Sequence, residues 1–247
     1  MRALLPAVVA VLMVLGWWAL SLTQPEILLP GPGAVLSAMW ASKAQLAQAT
    51  WQTTRASLVG LLLGSGVGIA GAVLFLRSRW LERALYPYAL FLQTLPIIAI
   101  APLLVVWLGY GQPVAVTTAA IVSFFPILSS ANAGLRSPER SELELMRLYG
   151  ATWTQTLLKL RVPRALPTLL AGYRSAVGLS VIGAIVGEFV GSNGLPPSLG
   201  FLVLSSARSA DTALTFGAVF CSAALAGVLF LAVRGVEKLA IGRWHGD

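Results

Sequence analysis

Glu188 is the one carboxylate clearly inside an apolar run, in Ile185-Val186-Gly187-Glu188-Phe189. A charge at the bilayer centre costs roughly 2.5–3.5 kcal/mol on insertion scales, so such a group normally faces the interior of a helix bundle. Two roles fit it, a pathway or gate residue and a hydrogen-bonded structural carboxylate. Gln93 and Thr94, just ahead of Pro96, are polar at membrane depth, where desolvation is costly. They should face either protein or a wet cavity. Ser123-Phe124-Phe125-Pro126 repeats that pattern more weakly. No catalytic constellation accompanies these groups. One histidine (His245) and one cysteine (Cys221) cannot form a usual protein metal site. No phosphate-cradling G-x4-G-K-[ST] segment is present.

The elements that hold these residues must lie in lipid. Of 247 residues, 57% are hydrophobic and 11% charged, against roughly 25% charged in soluble domains. Long unbroken apolar runs favour helices over the alternating segments of a β-barrel. Six such runs cover about residues 4–22, 57–76, 86–108, 112–131, 172–191 and 212–233. The first reads as a retained anchor, because its apolar core is long and no A-x-A site closes it. The expectation is an all-α integral membrane protein of six transmembrane helices.

The net charge of +8 does not point to nucleic acid. Fourteen of the seventeen Lys and Arg residues fall on one set of alternating segments, and only Lys43, Arg55 and Arg208 on the other. By the positive-inside rule, both termini are cytoplasmic. Residues 1–24 form the anchor and 25–54 an extracytoplasmic linker that becomes an amphipathic surface helix. Residues 55–235 form the core and 236–247 a cytoplasmic tail. Within the core, Gly60, Gly64 and Gly68 recur every four residues and mark a seam for close helix packing. Pro96 and Pro102 must be accommodated inside the third run.

The polar stretch between spans four and five, residues 136–171, reads as two short helices. Ser137 serves as N-cap with Pro138 at the first helical position. Gly150 ends the first helix. Thr152 and Gln155 form a capping box for the second. Trp153, Leu157 and Leu160 then share one face, and Leu145, Leu148 and Tyr149 supply an apolar stripe from the first helix. Pro163 and Pro167 end the second helix before the fifth span. Such a pair either grips a partner outside the bilayer or lies on the membrane surface.

Glu144-Leu145-Met146-x3-Gly150-x9-Leu160-x-Val162-Pro163 resembles the E-A-A-x3-G-x9-I-x-L-P loop of permease subunits of bacterial ATP-binding-cassette (ABC) importers. Leu29-Pro30-Gly31-Pro32, Ala101-Pro102-Leu103, Trp107-x-Gly109-x-Gly111, Phe124-Phe125-Pro126-Ile127, Gly187-Glu188 and Trp244-His245 are similar to the nitrate/sulfonate/taurine branch. One departure lies between Gly191 and Gly200, where Pro196-Pro197-Ser198 is inserted in a turn that is usually a short Gly-Leu-Gly.

The resemblance implies a non-catalytic permease in the cell inner membrane that works by alternating access. Its coupling loop would be formed by Glu142, Glu144, Leu145, Met146, Leu148, Tyr149, Gly150, Ala151, Trp153, Leu160 and Pro163. Candidates for the translocation path are Gln93, Thr94, Pro96, Ser123, Phe124 and Glu188. Partners would be two ABC ATPase subunits carrying ATP and Mg, a second permease copy, a periplasmic or lipid-anchored solute-binding protein, and a small-molecule substrate. Two rivals are a self-contained secondary transporter and a non-transport membrane scaffold. The first would need inverted repeats or intramembrane ion ligands, and the six runs show no convincing repeat. The second would not need polar groups at membrane depth.

Overall fold

In a computed structural model, which describes residues 4–194 and 196–242, every regular element is helical. The helices are α1 (Leu4–Ser21), α2 (Pro32–Ala41), α3 (Lys43–Arg77), α4 (Arg79–Thr94), α5 (Ile97–Leu108), α6 (Gln112–Leu135), α7 (Arg140–Leu148), α8 (Trp153–Thr156), α9 (Val162–Gly191), α10 (Leu199–Arg208) and α11 (Thr212–Gly242). Among the described residues, four helices are long and apolar enough to cross a membrane: Lys43–Arg77, Gln112–Leu135, Trp153–Gly191 and Thr212–Ala240. The pair α4 and α5 makes a fifth if it is counted as one span.

The most extensive packing joins α6 to α9 and α3 to α6. Small residues make it close. A Cβ on Gly60 would lie 2.5 Å from the Ala119 Cβ, and one on Gly64 only 2.6 Å from the Ala120 carbonyl oxygen. On Gly68 it would meet the Leu128 nitrogen at 3.0 Å. Four residues per step keeps all three glycines on the α6 side of α3. Towards one end, Ala72, Phe75, Leu128, Leu135, Leu157 and Ala165 close the core. Towards the other, Leu46, Val181, Leu199, Leu202 and Ala218 do so. The N-terminal α1 rests on α11 through Trp17, whose ring stacks on Phe216 and lies 5.6 Å from Phe220.

Four sequence expectations are corrected. The third apolar run is not one straight helix. It breaks at Leu95-Pro96, and α4 and α5 meet at 100°. Leu95 is extended, at φ −69° and ψ 129°, because a proline disfavours the helical conformation of the residue before it. Residues 34–54 are not a separate surface helix, since α2 stops at Ala41 and Lys43 already begins the 35-residue α3.

Ser137 is not the N-cap of α7. Helix α7 starts at Arg140 after Glu139, whose N–H donates to Glu142 Oε2 at 3.0 Å. Pro163 and Pro167 do not end the loop's second helix. A π turn, Leu157–Arg161, joins α8 to α9, and the helix continues unbroken to Gly191. The π turn changes the local hydrogen-bond pattern just where Pro163 has no N–H to give.

Candidate functional site

Two separate regions carry most of the singled-out residues. The first is the α7–α8 elbow. Gly150 sits at φ +66°, a left-handed conformation that costs a side-chain-bearing residue roughly 1–2 kcal/mol. The Gly150 N–H donates to the Arg147 carbonyl at 2.9 Å, and the Ala151 N–H to the Met146 carbonyl at 2.9 Å. These bonds satisfy the last carbonyls of α7. Thr152 then opens α8. Its N–H donates to Gln155 Oε1 at 2.8 Å, and its Oγ1 accepts the Gln155 N–H at 3.3 Å. This is a reciprocal capping box.

The elbow presents part of its apolar stripe outward, while Leu157 turns into the core. Leu148 and Tyr149 are 85% and 81% exposed, and Leu145 and Trp153 are also exposed. Glu144 is exposed, whereas Glu142, Met146, Ala151, Leu160 and Pro163 are half-buried. Glu142 pairs with Arg164. The hydrogen bond from the Arg164 guanidinium, seconded by the Glu139 backbone N–H, holds the Glu142 carboxyl below the usual carboxylate range.

The elbow is fastened to the bundle by arginines. Arg161 Nη1 donates to the Leu135 carbonyl at 2.7 Å, at the end of α6. Arg136 Nη2 donates to Glu82 Oε2 at 2.6 Å and to the Phe75 carbonyl at 3.2 Å. Asn132 Nδ2 donates to Glu82 Oε1 at 3.0 Å. This cluster ties α3, α4 and α6 together. Sequence reasoning passed over Glu82, because a carboxylate in a polar turn gives no sign of the distant arginine it meets.

The second region surrounds Glu188, which is 4% exposed. Thr53 Oγ1 and the Gly200 N–H donate to its Oε2 at 3.0 and 2.9 Å. The Leu199 N–H donates to Thr53 Oγ1 at 3.0 Å. Ser198 is the N-cap of α10, and its Oγ accepts the Phe201 N–H at 3.4 Å. Glu188 thus binds the start of α10 to α3 and α9. A carboxylate is stabilising there because the first N–H groups of a helix are unpaired and its N-terminus is positive. Among the described residues, Glu188 Oε1 is buried without a hydrogen-bond partner. A pocket of about 50 Å³ adjoins it, lined by Gln112, Ser192, Asn193 and Ser198 among others.

The remaining path candidates lie elsewhere. Gln93, Thr94 and Pro96 are exposed at the α4–α5 break, where Thr94 Oγ1 donates to the Phe91 carbonyl at 2.8 Å. Ser123 is buried with its hydroxyl on the Ala119 carbonyl at 2.7 Å. Phe124 lines an apolar groove with Leu63, Val67 and Leu92. That groove shares no lining residue with the Glu188 pocket. The matched Trp244-His245 lies outside the described residues.

Known proteins resemble this chain in sequence and in fold. The chain is 33% identical to the riboflavin transport system permease protein RibX of Chloroflexus aurantiacus, over 97% of this chain and 90% of that one. It is 36% identical to the formylaminopyrimidine transport permease protein ThiX of Halalkalibacterium halodurans, over 74% and 72%. It is 28% identical to the taurine transport system permease protein TauC of Escherichia coli, over 94% and 86%. Its fold resembles a chain of the MetNI methionine ABC transporter in an inward-facing conformation, with a TM-score of 0.71 at 18% identity, covering 81% of this chain and 98% of that one. Residues 58–243 match the family described as binding-protein-dependent transport system inner membrane component. With the outward-facing elbow and the small-residue bundle behind it, that match identifies the chain as a member of this family, a permease subunit of an ABC importer.

Proposed function

We propose that this permease works by alternating access, driven through its α7–α8 elbow by a separate pair of ATPase subunits that carry ATP and Mg. The observation that carries the reading is the elbow itself. An apolar, Gly150-hinged face stands outside the bundle, and its second helix is the same helix that reaches Glu188. A face of that kind stabilises a complex when a groove covers it. Glu142, Glu144, Leu145, Met146, Leu148, Tyr149, Gly150, Ala151, Trp153, Leu160 and Pro163 form the contact, with Glu144 and Gly150 central.

In this reading six spans cross the inner membrane. They are α1, α3, the bent pair α4 and α5, α6, α9 and α11, and the elbow and both termini are cytoplasmic. The lysine and arginine distribution supports that orientation. Two copies of the chain enclose one path, with Gln93, Thr94 and Pro96 facing it from the α4–α5 break. A solute-binding protein docks on the far side near α10. Residues 1–24 anchor the chain, 25–42 link the anchor to the core that α3 opens at Lys43, and 236–247 form the tail. The cargo is a heteroaromatic vitamin or its precursor, since the relatives named for riboflavin and formylaminopyrimidine are more similar than the taurine permease.

The test substitutes Glu144 and Gly150 together by Ala and Pro in the chain co-expressed with its ATPase and binding protein. Insertion should be normal while ATP-driven uptake and ATPase co-purification fail. Normal ATP-driven uptake by the double variant refutes the coupling assignment. Uptake of labelled riboflavin, formylaminopyrimidine and taurine by the intact system assigns the cargo class.

A further inference from the structure

At the end of α3 opposite Arg77, one face of the helix is left uncovered beside α2 and α11. Lys43, Ala47 and Trp51 follow one another at intervals of four along that face. With Met39 and Leu46 they line a groove of about 500 Å³ whose floor includes Cys221 of α11. Lys43 stands at the start of α3, with its Nζ 4.3 Å from the centre of the Trp40 ring. Trp40 and Trp51 are 74% and 65% exposed. None of the groove's lining residues is acidic, and among the described residues Lys43 has no ion-pair partner.

Each part of this surface asks for a different part of one ligand. An exposed tryptophan at the end of a spanning helix seeks the boundary between headgroups and hydrocarbon. A lysine held over such a ring keeps its charge at that level, where it attracts an anion and repels a cation. The apolar groove beside it, in a chain surrounded by lipid, takes hydrocarbon. An anion joined to a hydrocarbon tail is an anionic phospholipid.

We propose that the groove between α2, α3 and α11 binds one anionic phospholipid, with its phosphate on Lys43 and an acyl chain along Met39, Leu46, Ala47 and Cys221. The site needs the chain to lie in a membrane and is independent of which face is cytoplasmic, of the ATPase and of the cargo. Its occupant would brace α2 and α3 against α11 at the point where α3 leaves the bundle.

The experiment uses the full chain purified in mild detergent and presented with phosphatidylglycerol or phosphatidylcholine. Retained lipid is counted by native mass spectrometry, and thermal unfolding is followed in parallel. Wild type should retain one phosphatidylglycerol in preference to phosphatidylcholine. Lys43→Gln should weaken retention about fivefold, the ~1 kcal/mol that one lysine contributes near an anionic surface. Lys43→Arg should keep the preference. Ala47→Trp, which fills the groove, should abolish retention of either lipid there, and Lys238→Gln on α11 should change nothing. Lys43 and Ala47 are both exposed, so a folded variant is expected in each case, and the melting curve verifies it. Equal retention of the two lipids, or an unchanged preference in Lys43→Gln, overturns the proposal. So does a groove found covered by a second copy of the chain, read as a dimer that Ala47→Trp dissociates.

Discussion

Thr53 Oγ1 stands between two groups, donating to Glu188 Oε2 at 3.0 Å and accepting the Leu199 N–H at 3.0 Å. One hydroxyl thereby joins the buried carboxylate of α9 to the first turn of α10. Thr53→Val keeps the shape and removes both bonds, leaving the buried Leu199 N–H without an acceptor. An unsatisfied buried donor costs about 1–3 kcal/mol. The variant should unfold at lower temperature by differential scanning fluorimetry, with the loss concentrated in hydrogen-exchange protection of α10.

Glu188→Ala should cost more than Thr53→Val, since it strands both the Gly200 N–H and the Thr53 hydroxyl. Glu188→Gln retains an accepting oxygen and should fall between wild type and Glu188→Ala. A melting series of the three variants checks the order. Equal melting of Glu188→Ala and wild type contradicts the role of Glu188 as the fastening of α10.

Gly64→Ala should destabilise the bundle, because the new Cβ would lie 2.6 Å from the backbone oxygen of Ala120, which cannot rotate away. Overpacking of this kind costs about 1–3 kcal/mol. Gly66→Ala, two residues on, meets nothing within 4 Å and should be neutral or slightly stabilising by its helix propensity. The pair is checked by thermal unfolding side by side.

Gly150→Ala should lower stability by about 1–2 kcal/mol, the strain of a φ of +66° on a residue with a Cβ. Gly150→Asn should cost less, because Asn tolerates that conformation better. Proteolysis rates at the elbow should follow the same order.

The Glu142–Arg164 pair gives the elbow a pH response. The carboxyl is held below its unfolded value. Its contribution is therefore complete above the ordinary carboxylate pKa and is lost as pH falls through the lowered one. Hydrogen exchange in α7 should accelerate on acidification through that window, and Glu142→Gln should remove the pH dependence of that step.

Local chemistry was legible in the sequence, and long-range chemistry was not. Gly150 and the Thr152–Gln155 box could be read because each involves residues a few positions apart. The apolar runs could be read because lipid imposes hydropathy on every spanning residue. Pro163 was misread as a stop because the π turn beneath it leaves no mark in composition. Leu95 carried a readable signal, its place before Pro96, and the length of the apolar run hid it. Helix α10 escaped because ten residues are too few for a span. Ser198 before Leu199 was the cue to its start, and Asp211, whose Oδ1 accepts the Leu214 N–H at 3.0 Å, was the cue to the start of α11 after it. Neither Thr53 nor Glu82 could be paired from sequence, with partners 135 and 54 positions away.

The π turn at Leu157–Arg161 also fixes an angular phase. Each α-helical residue advances the chain by about 100°, and a π bulge behaves as one residue inserted into that count. A π turn spreads about the rotation of four α-helical residues over five, so the helix on either side of it keeps nearly the phase it would have without the extra residue. Deleting a single residue from 157–161 would let the turn close as α-helix and leave the bearing of Trp153 relative to Glu188 nearly unchanged. The same deletion in the regular part of α9, ahead of Glu188, would swing the elbow by about 100° and present the wrong side of α8 to whatever meets it.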